Sequence, residues 1–203
     1  MQATEIKLNQ VIYGKSEEKL KEFPDNFFDG IITDPPYEMD FMGKKWDSTG
    51  IAYNVELWRE VLRVAKPGSF LFCFGGTRTH HRVTCAIEDA GWIIKDEFDW
   101  IYGEGFPKST NIALEFEQKL CRYRNGKWYY KATNEEMRKI PPFKHLMANK
   151  YFGYGTGIKP AHEPIIVAMK PLEQGLTYAQ NAKKWGVAGL NIDGGRIGTE
   201  IIP

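Results

Sequence analysis

Asp34-Pro35-Pro36-Tyr37 is the stretch of this 203-residue chain whose residue types and order best suit chemistry. Two consecutive prolines fix the backbone and remove two N–H donors, so a rigid turn presents carbonyl acceptors with no competing donor beside them. Asp34 adds a carboxylate and Tyr37 a flat aromatic face. Such acceptors suit the exocyclic amino group of a nucleobase, a poor nucleophile because its lone pair is delocalised into the ring. Hydrogen bonds from its two protons to the Asp34 carboxylate and the Pro35 carbonyl would favour the tetrahedral nitrogen that attacks a methyl sulfonium. Catalysis would then consist of positioning and preorganised electrostatics. A stacked duplex hides the target nitrogen, so the base must be flipped out, and Tyr37 can stack on it. The alternative is that these four residues form an ordinary turn.

The elements that must position this turn alternate short apolar runs with helical patterns. That rhythm predicts an α/β fold, doubly wound, with an open, mostly parallel sheet. Phe28 to Thr33 (FDGIIT) reads as a strand running directly into the turn, and ligands bind beyond the carboxyl ends of such strands. Val11 to Tyr13 predicts a short first strand, and Ser16 caps a helix carrying Leu20 that must end before Pro24. Val55 to Ala65 predicts a helix closed by Lys66-Pro67-Gly68, and Ser69 to Phe74 (SFLFCF) a buried strand. Thr79 to Ala90 predicts a second long helix closed at Gly91, followed by extended chain from Trp92 to Tyr102 and a helix from Asn111 to Cys121. Asn125-Gly126, within Arg122 to Lys131 (RYRNGKWYYK), signals a two-residue hairpin turn, and Pro164 to Met169 (PIIVAM) a last buried strand. One catalytic domain over residues 1–203 is expected, with an excursion from the sheet at about 120–154, a stretch suited to target recognition.

Composition excludes some classes. Basic and acidic residues nearly balance, 27 to 26, so overall charge names no partner. Basic residues gather between Lys108 and Lys170, a distribution that permits nucleic acid. Cys73, Cys85 and Cys121 form no CxxC pair, which argues against a zinc site and predicts free thiols in a reducing cytoplasm. No apolar run reaches membrane-spanning length, so a cytoplasmic protein without membrane attachment is expected.

Further blocks extend the pattern. VIYGKSEEKLKEFPDNFFDGIITDPPY, Phe41 to Asp47, Gly105 to Ser109, Lys159 to Ile165 and Lys184 to Asp193 occur in an order that resembles the DNA amino-methyltransferases whose catalytic motif precedes the cofactor motif, with the phage and prophage members most similar. The resemblance implies a Rossmann-like fold dependent on S-adenosylmethionine, with DNA as substrate. It makes Asp34, Pro35, Pro36 and Tyr37 catalytic and places Asp34, Pro35 and Gly14 at the cofactor. The aspartate form of the motif favours adenine N6; cytosine N4 and an RNA base are the alternatives. A catalytically silent fragment that binds DNA or a partner is the alternative from another class. Substrate contacts are expected from Tyr37, Lys45, Trp46, Lys108 and Lys159.

Two departures accompany the likeness. Lys15 follows Gly14 where family members carry an acid, and the strand with Phe-x-Gly-x-Gly that binds the cofactor is not found. Tyr151-Phe152-Gly153-Tyr154-Gly155 comes near that pattern but lacks a preceding apolar strand, and Pro160 obstructs a following helix. The sheet is therefore expected to be incomplete on its C-terminal side, inviting self-association or a second polypeptide.

Overall fold

The computed structural model describes residues 9–39, 47–105, 109–113, 115–116 and 146–198. Contacts divide the chain into two compact units, one of residues 1–100 with 163–203 and the other of residues 101–162.

The first unit is built on an open sheet. Short helix α1 (Ser16–Lys19) precedes β1 (Phe28–Thr33), α2 (Val55–Val64), β2 (Ala65–Phe74), α3 (His80–Asp89) and β3 (Ile93–Ile101). In the second unit lies α4 (Leu146–Lys150); β4 (His162–Met169) returns the chain to the sheet, followed by α5 (Tyr178–Trp185) and α6 (Ile192–Gly195). Strand order is β1-β2-β4-β3. β1 runs parallel to β2, whereas β4 runs antiparallel to β2, so the open α/β sheet is mixed.

Alternation in β2 separates two faces. Leu71 and Cys73 are buried with Val61 of α2 and Val83 and Ile87 of α3, while Phe70, Phe72 and Phe74 point the other way, half-buried. Helix α2 begins where the Asn54 side chain accepts the Glu56 N–H (3.0 Å), and it buries Trp58, Val61 and Val64 at three-residue spacing. Trp58 donates its indole N–H to the Ala52 carbonyl (2.9 Å) and receives that of Trp92 on its own carbonyl (3.1 Å), which ties α2 to the turn before it and to the junction between α3 and β3.

Several sequence expectations need correction. Lys66-Pro67-Gly68 does not close α2; the chain is already extended at Ala65, and these residues belong to β2. An irregularity absorbs them, since Phe28 pairs with Ala65 but Gly30 with Phe70, and proline is tolerated where the ladder is broken. Val11 to Tyr13 forms no strand, and Val11 is 99% exposed: apolar side chains alone do not hold a strand that has no partner for its backbone. Ser16 is the first residue of α1 rather than its cap, which is Lys15. The helix expected over 111–121 is seen at 112–113 and 115–116, and its remainder, like the Asn125-Gly126 turn, lies outside the described residues.

Within the second unit two arms of chain run against each other. Tyr102 donates its N–H to the Ala161 carbonyl (3.0 Å), Thr110 its N–H to the Thr156 hydroxyl (2.9 Å), and Ile112 its N–H to the Tyr154 carbonyl (3.2 Å). Gly105 lies so close to the backbone of Lys159 that a β-carbon would stand 2.6 Å from its carbonyl oxygen. The excursion expected at about 120–154 falls inside this unit, largely outside the described residues. Among the described residues no helix is long and apolar enough to cross a membrane.

Candidate active site

Three strand ends meet at one edge of the sheet. Thr33 of β1 lies beside Cys73 of the parallel β2, so β1 releases Asp34-Pro35-Pro36-Tyr37 where β2 releases Gly75-Gly76. Because β4 is antiparallel, with Ile165 opposite Phe74, its first residues stand at this same edge. A hydrogen bond from the Gly75 N–H to the Pro164 carbonyl (2.9 Å) fixes that junction and brings Glu163 to the site.

Tyr37 rests against bare backbone. A β-carbon on Gly76 would lie 3.2 Å from Cβ of Tyr37 and 3.1 Å from Oγ1 of Thr79, so any larger residue there would push these neighbours back by a few tenths of an ångström. Burial first, then the nearby carboxylates of Asp34 and Glu163, raise the pKa of the Tyr37 hydroxyl far above the ordinary 10.0. Beneath the turn the Cys73 thiol is pushed up to about 12 by burial and by Asp34. A thiol held protonated is no nucleophile, so this cysteine is structural. Negative charge at this edge suits an amino group or a cation and repels a phosphate.

The loop after the turn is held by two carboxylates that the sequence pattern did not mark as anchors. Asp47, only 2% exposed, accepts the backbone N–H groups of Glu38 (3.0 Å) and Met39 (3.2 Å), one on each oxygen. Glu38, whose φ of 54° lies in the left-handed region, accepts in turn from the N–H groups of Gly50 (2.7 Å) and Ala52 (3.3 Å). The only local hint was the density of acids and glycines just after the double proline. Nothing in that pattern tells which carboxylate folds back on which amide.

Beside the turn opens a cleft of about 540 Å³, the size of many small-ligand sites. Asp34, Pro35 and Pro36 form one wall, and Leu20, Ile32 and Leu57 belong to the apolar remainder. Asp34 is exposed there, while Tyr37 is half-buried on the Gly76 side of the turn. Gly14, with φ of 150°, is exposed and outside the cleft lining, although Ser16 two residues later is part of it. Lys159 is exposed in the second unit. Lys45, Trp46 and Lys108 lie outside the described residues. Among the described residues no cluster of three histidine, cysteine or acidic side chains could hold a metal ion, and Cys73 and Cys85 are free thiols.

Residues 28–187 match the model of the DNA methylase family whose members act on amino N6 or N4, and the chain belongs to that family. Two curated relatives are the type II methyltransferase M.HindIII of Haemophilus influenzae, 29% identical over 139 residues, and M.HpaI of Haemophilus parainfluenzae, 26% identical over 147 residues. The alignments take in 68% and 62% of this chain but 38% and 46% of those proteins, so the chain spans less than half the length of these relatives. Among solved structures, a Thermus thermophilus protein complexed with S-adenosyl-L-methionine is 19% identical, with a TM-score of 0.45 over 84% of this chain and 57% of that one.

Proposed function

We propose that this chain forms the target-base side of a DNA methyltransferase that methylates N6 of adenine with S-adenosylmethionine as donor. The observation that carries this reading is an exposed aspartate at a cleft whose wall continues into two prolines, with a tyrosine beside them, in a member of a DNA methylase family.

The cleft fits the donor's reacting end. Its size, its largely apolar lining and the presence of Asp34 in that lining suit a methionine moiety bearing a cationic sulfur, and Gly14 and Pro35 are proposed neighbours of that cofactor. When bound, S-adenosylmethionine supplies an electrophilic methyl group. The chain's own residues prepare the acceptor: Asp34 takes a hydrogen bond from one amino proton and the Pro35 carbonyl from the other, which turns the nitrogen lone pair outward. Pro36 keeps the turn rigid, and the Tyr37 ring offers a stacking face to an extruded base. The proton that the methylated nitrogen sheds passes, in this proposal, to the Asp34 carboxylate. Lys45, Trp46, Lys108 and Lys159 are proposed DNA contacts. The β1 edge away from β2, where Ile32 is 76% exposed, supports the reading that another copy or a second polypeptide adds a strand there.

Methylation of DNA and RNA with labelled donor, followed by nucleoside analysis, tests the reading. Labelled N6-methyladenine from DNA is expected, lost in D34A with the fold retained. Label in N4-methylcytosine, or full activity of D34A, refutes it. Calorimetry with S-adenosylmethionine decides whether the isolated chain works alone, since absence of binding rejects autonomous transfer.

A further inference from the structure

We propose that Arg78 and Arg82, exposed at the start of α3, hold the phosphate backbone of DNA beside Tyr37 and so set where the extruded base enters. This rests on the methyl-transfer reading above and names the side of the catalytic turn along which the nucleic acid runs.

The start of α3 is pressed against the end of β2, next to the turn. The Gly76 carbonyl accepts the N–H groups of Thr79 and His80 (both 2.9 Å). A β-carbon on Gly75 would lie 2.8 Å from Cβ of His80, and one on Gly76 would meet Thr79 and Tyr37 together. Backbone contact this close places the residues around Thr79 next to Tyr37. Thr79 and His80 are half-buried there, whereas Arg78, His81 and Arg82 are exposed. Further along, Val83, Ala86 and Ile87 turn into the core and anchor the helix that carries these residues. Among the described residues no hydrogen bond or ion pair engages the Arg82 side chain.

The charges of α3 do not serve its own stability. A helix is stabilised by acids in its first turn and by cations in its last, because its N-terminus is electropositive and its C-terminus electronegative. Glu56 and Arg63 follow that rule in α2, and Lys183 and Lys184 follow it in α5. In α3 the pattern is inverted: the first turn holds Arg82 and no acid, and the last holds Glu88 and Asp89 and no basic residue. An anion lying against Arg78 and Arg82 turns that disadvantage into attraction. For a DNA methyltransferase the anion at hand is the phosphate of the strand from which the base is drawn, and phosphate contacts fix register and orientation. Asp34 and Glu163 repel phosphate from the turn itself, so the acids and the arginines together keep the backbone on the α3 side.

Binding of duplex DNA to the full chain, measured as salt is varied, tests this. Each phosphate contact contributes about 0.9 to the slope of log affinity against log salt. R82Q is expected to lower that slope by about one, so that its deficit against wild type shrinks about threefold for about a fourfold rise in salt, and R78Q/R82Q by about two. K183Q, which removes one charge from α5, should leave the slope unchanged. R82Q should also melt no lower than wild type and bind S-adenosylmethionine as wild type does. An unchanged slope in R82Q, or an equal fall in K183Q, overturns the proposal. So does weaker donor binding with the DNA slope intact, which would place the arginine at the donor. Arg78 has contacts within the protein, so if R78Q/R82Q is unstable, R82Q alone decides. If wild type binds DNA and R82Q matches it, only this assignment falls; if wild type binds no DNA, the functional reading falls with it.

Discussion

Replacing Asp47 with alanine should loosen the catalytic turn from behind without touching the cleft. Its buried carboxylate receives the Glu38 and Met39 N–H groups at 3.0 and 3.2 Å. Hydrogen bonds to a charged group contribute about 1.5–3 kcal/mol each, so two give about 3–6 kcal/mol. Both amides belong to half-buried residues that can regain water once freed, so the lower end, about 3 kcal/mol, is the better figure. The loss should be local, because Glu38 still binds Gly50 and Ala52 across the same loop. At about 1.4 kcal/mol per decade, the opening equilibrium of residues 38 and 39 should rise by on the order of a hundredfold. Amide hydrogen exchange of Glu38 and Met39, measured beside distant core amides of β2, reads this directly. D47N should show much of the effect, since an amide has one oxygen acceptor and turns an NH₂ toward the second N–H. Exchange at both amides within about threefold of wild type in D47A would refute the reasoning that these bonds fasten the loop.

Other expected outcomes follow from contacts already described. Gly76→Ala would crowd Tyr37 and Thr79 at 3.2 and 3.1 Å, so methyl transfer should fall more than thermal stability does, as parallel kinetics and melting would show. Tyr37 retains its proton above pH 10 while the unfolded chain loses it, so the stability it adds is present below that pH and lost as pH rises through the folded pKa; Y37F should flatten the alkaline decline of the urea midpoint. Asn181 is buried, donates to the Pro67 and Val187 carbonyls (2.8 and 2.9 Å) and accepts the Glu173 N–H (3.1 Å). N181A should cost about 2–4 kcal/mol by urea denaturation, since it leaves buried groups unpaired. Arg63 bonds the Phe23 and Leu20 carbonyls and Asp25 through its guanidinium, so R63K should cost about 1–2 kcal/mol by the same measurement, because lysine cannot span all three.

The parts of this molecule legible in its sequence are those set by local pattern. β1 and its abrupt end follow from six residues and a double proline, and α2 from Leu57, Val61 and Val64 at helical spacing. α5 was missed although its signals are present: Thr177 and Gln180 form a reciprocal capping box and Gly186 closes the helix in the left-handed region. Its polar surface hid the periodicity. The start of β2 was misplaced because Pro67-Gly68 normally punctuates a helix, and here an interruption in strand pairing accommodates it. Glu163 could be noticed within its block, but not joined to Tyr37, because that meeting depends on β4 running against β2. Sequence spacing carries no information about strand direction at such a distance.

The stem formed by the two arms of the second unit, closed at Tyr102 and Ala161, has an evolutionary consequence. A polypeptide detour whose ends are already fastened together can lengthen cheaply, since each doubling of loop size adds only about 0.6 kcal/mol of closure entropy. Insertions between residues 102 and 161 are therefore expected to cost little beyond this small entropy, because the two ends stay fastened to each other.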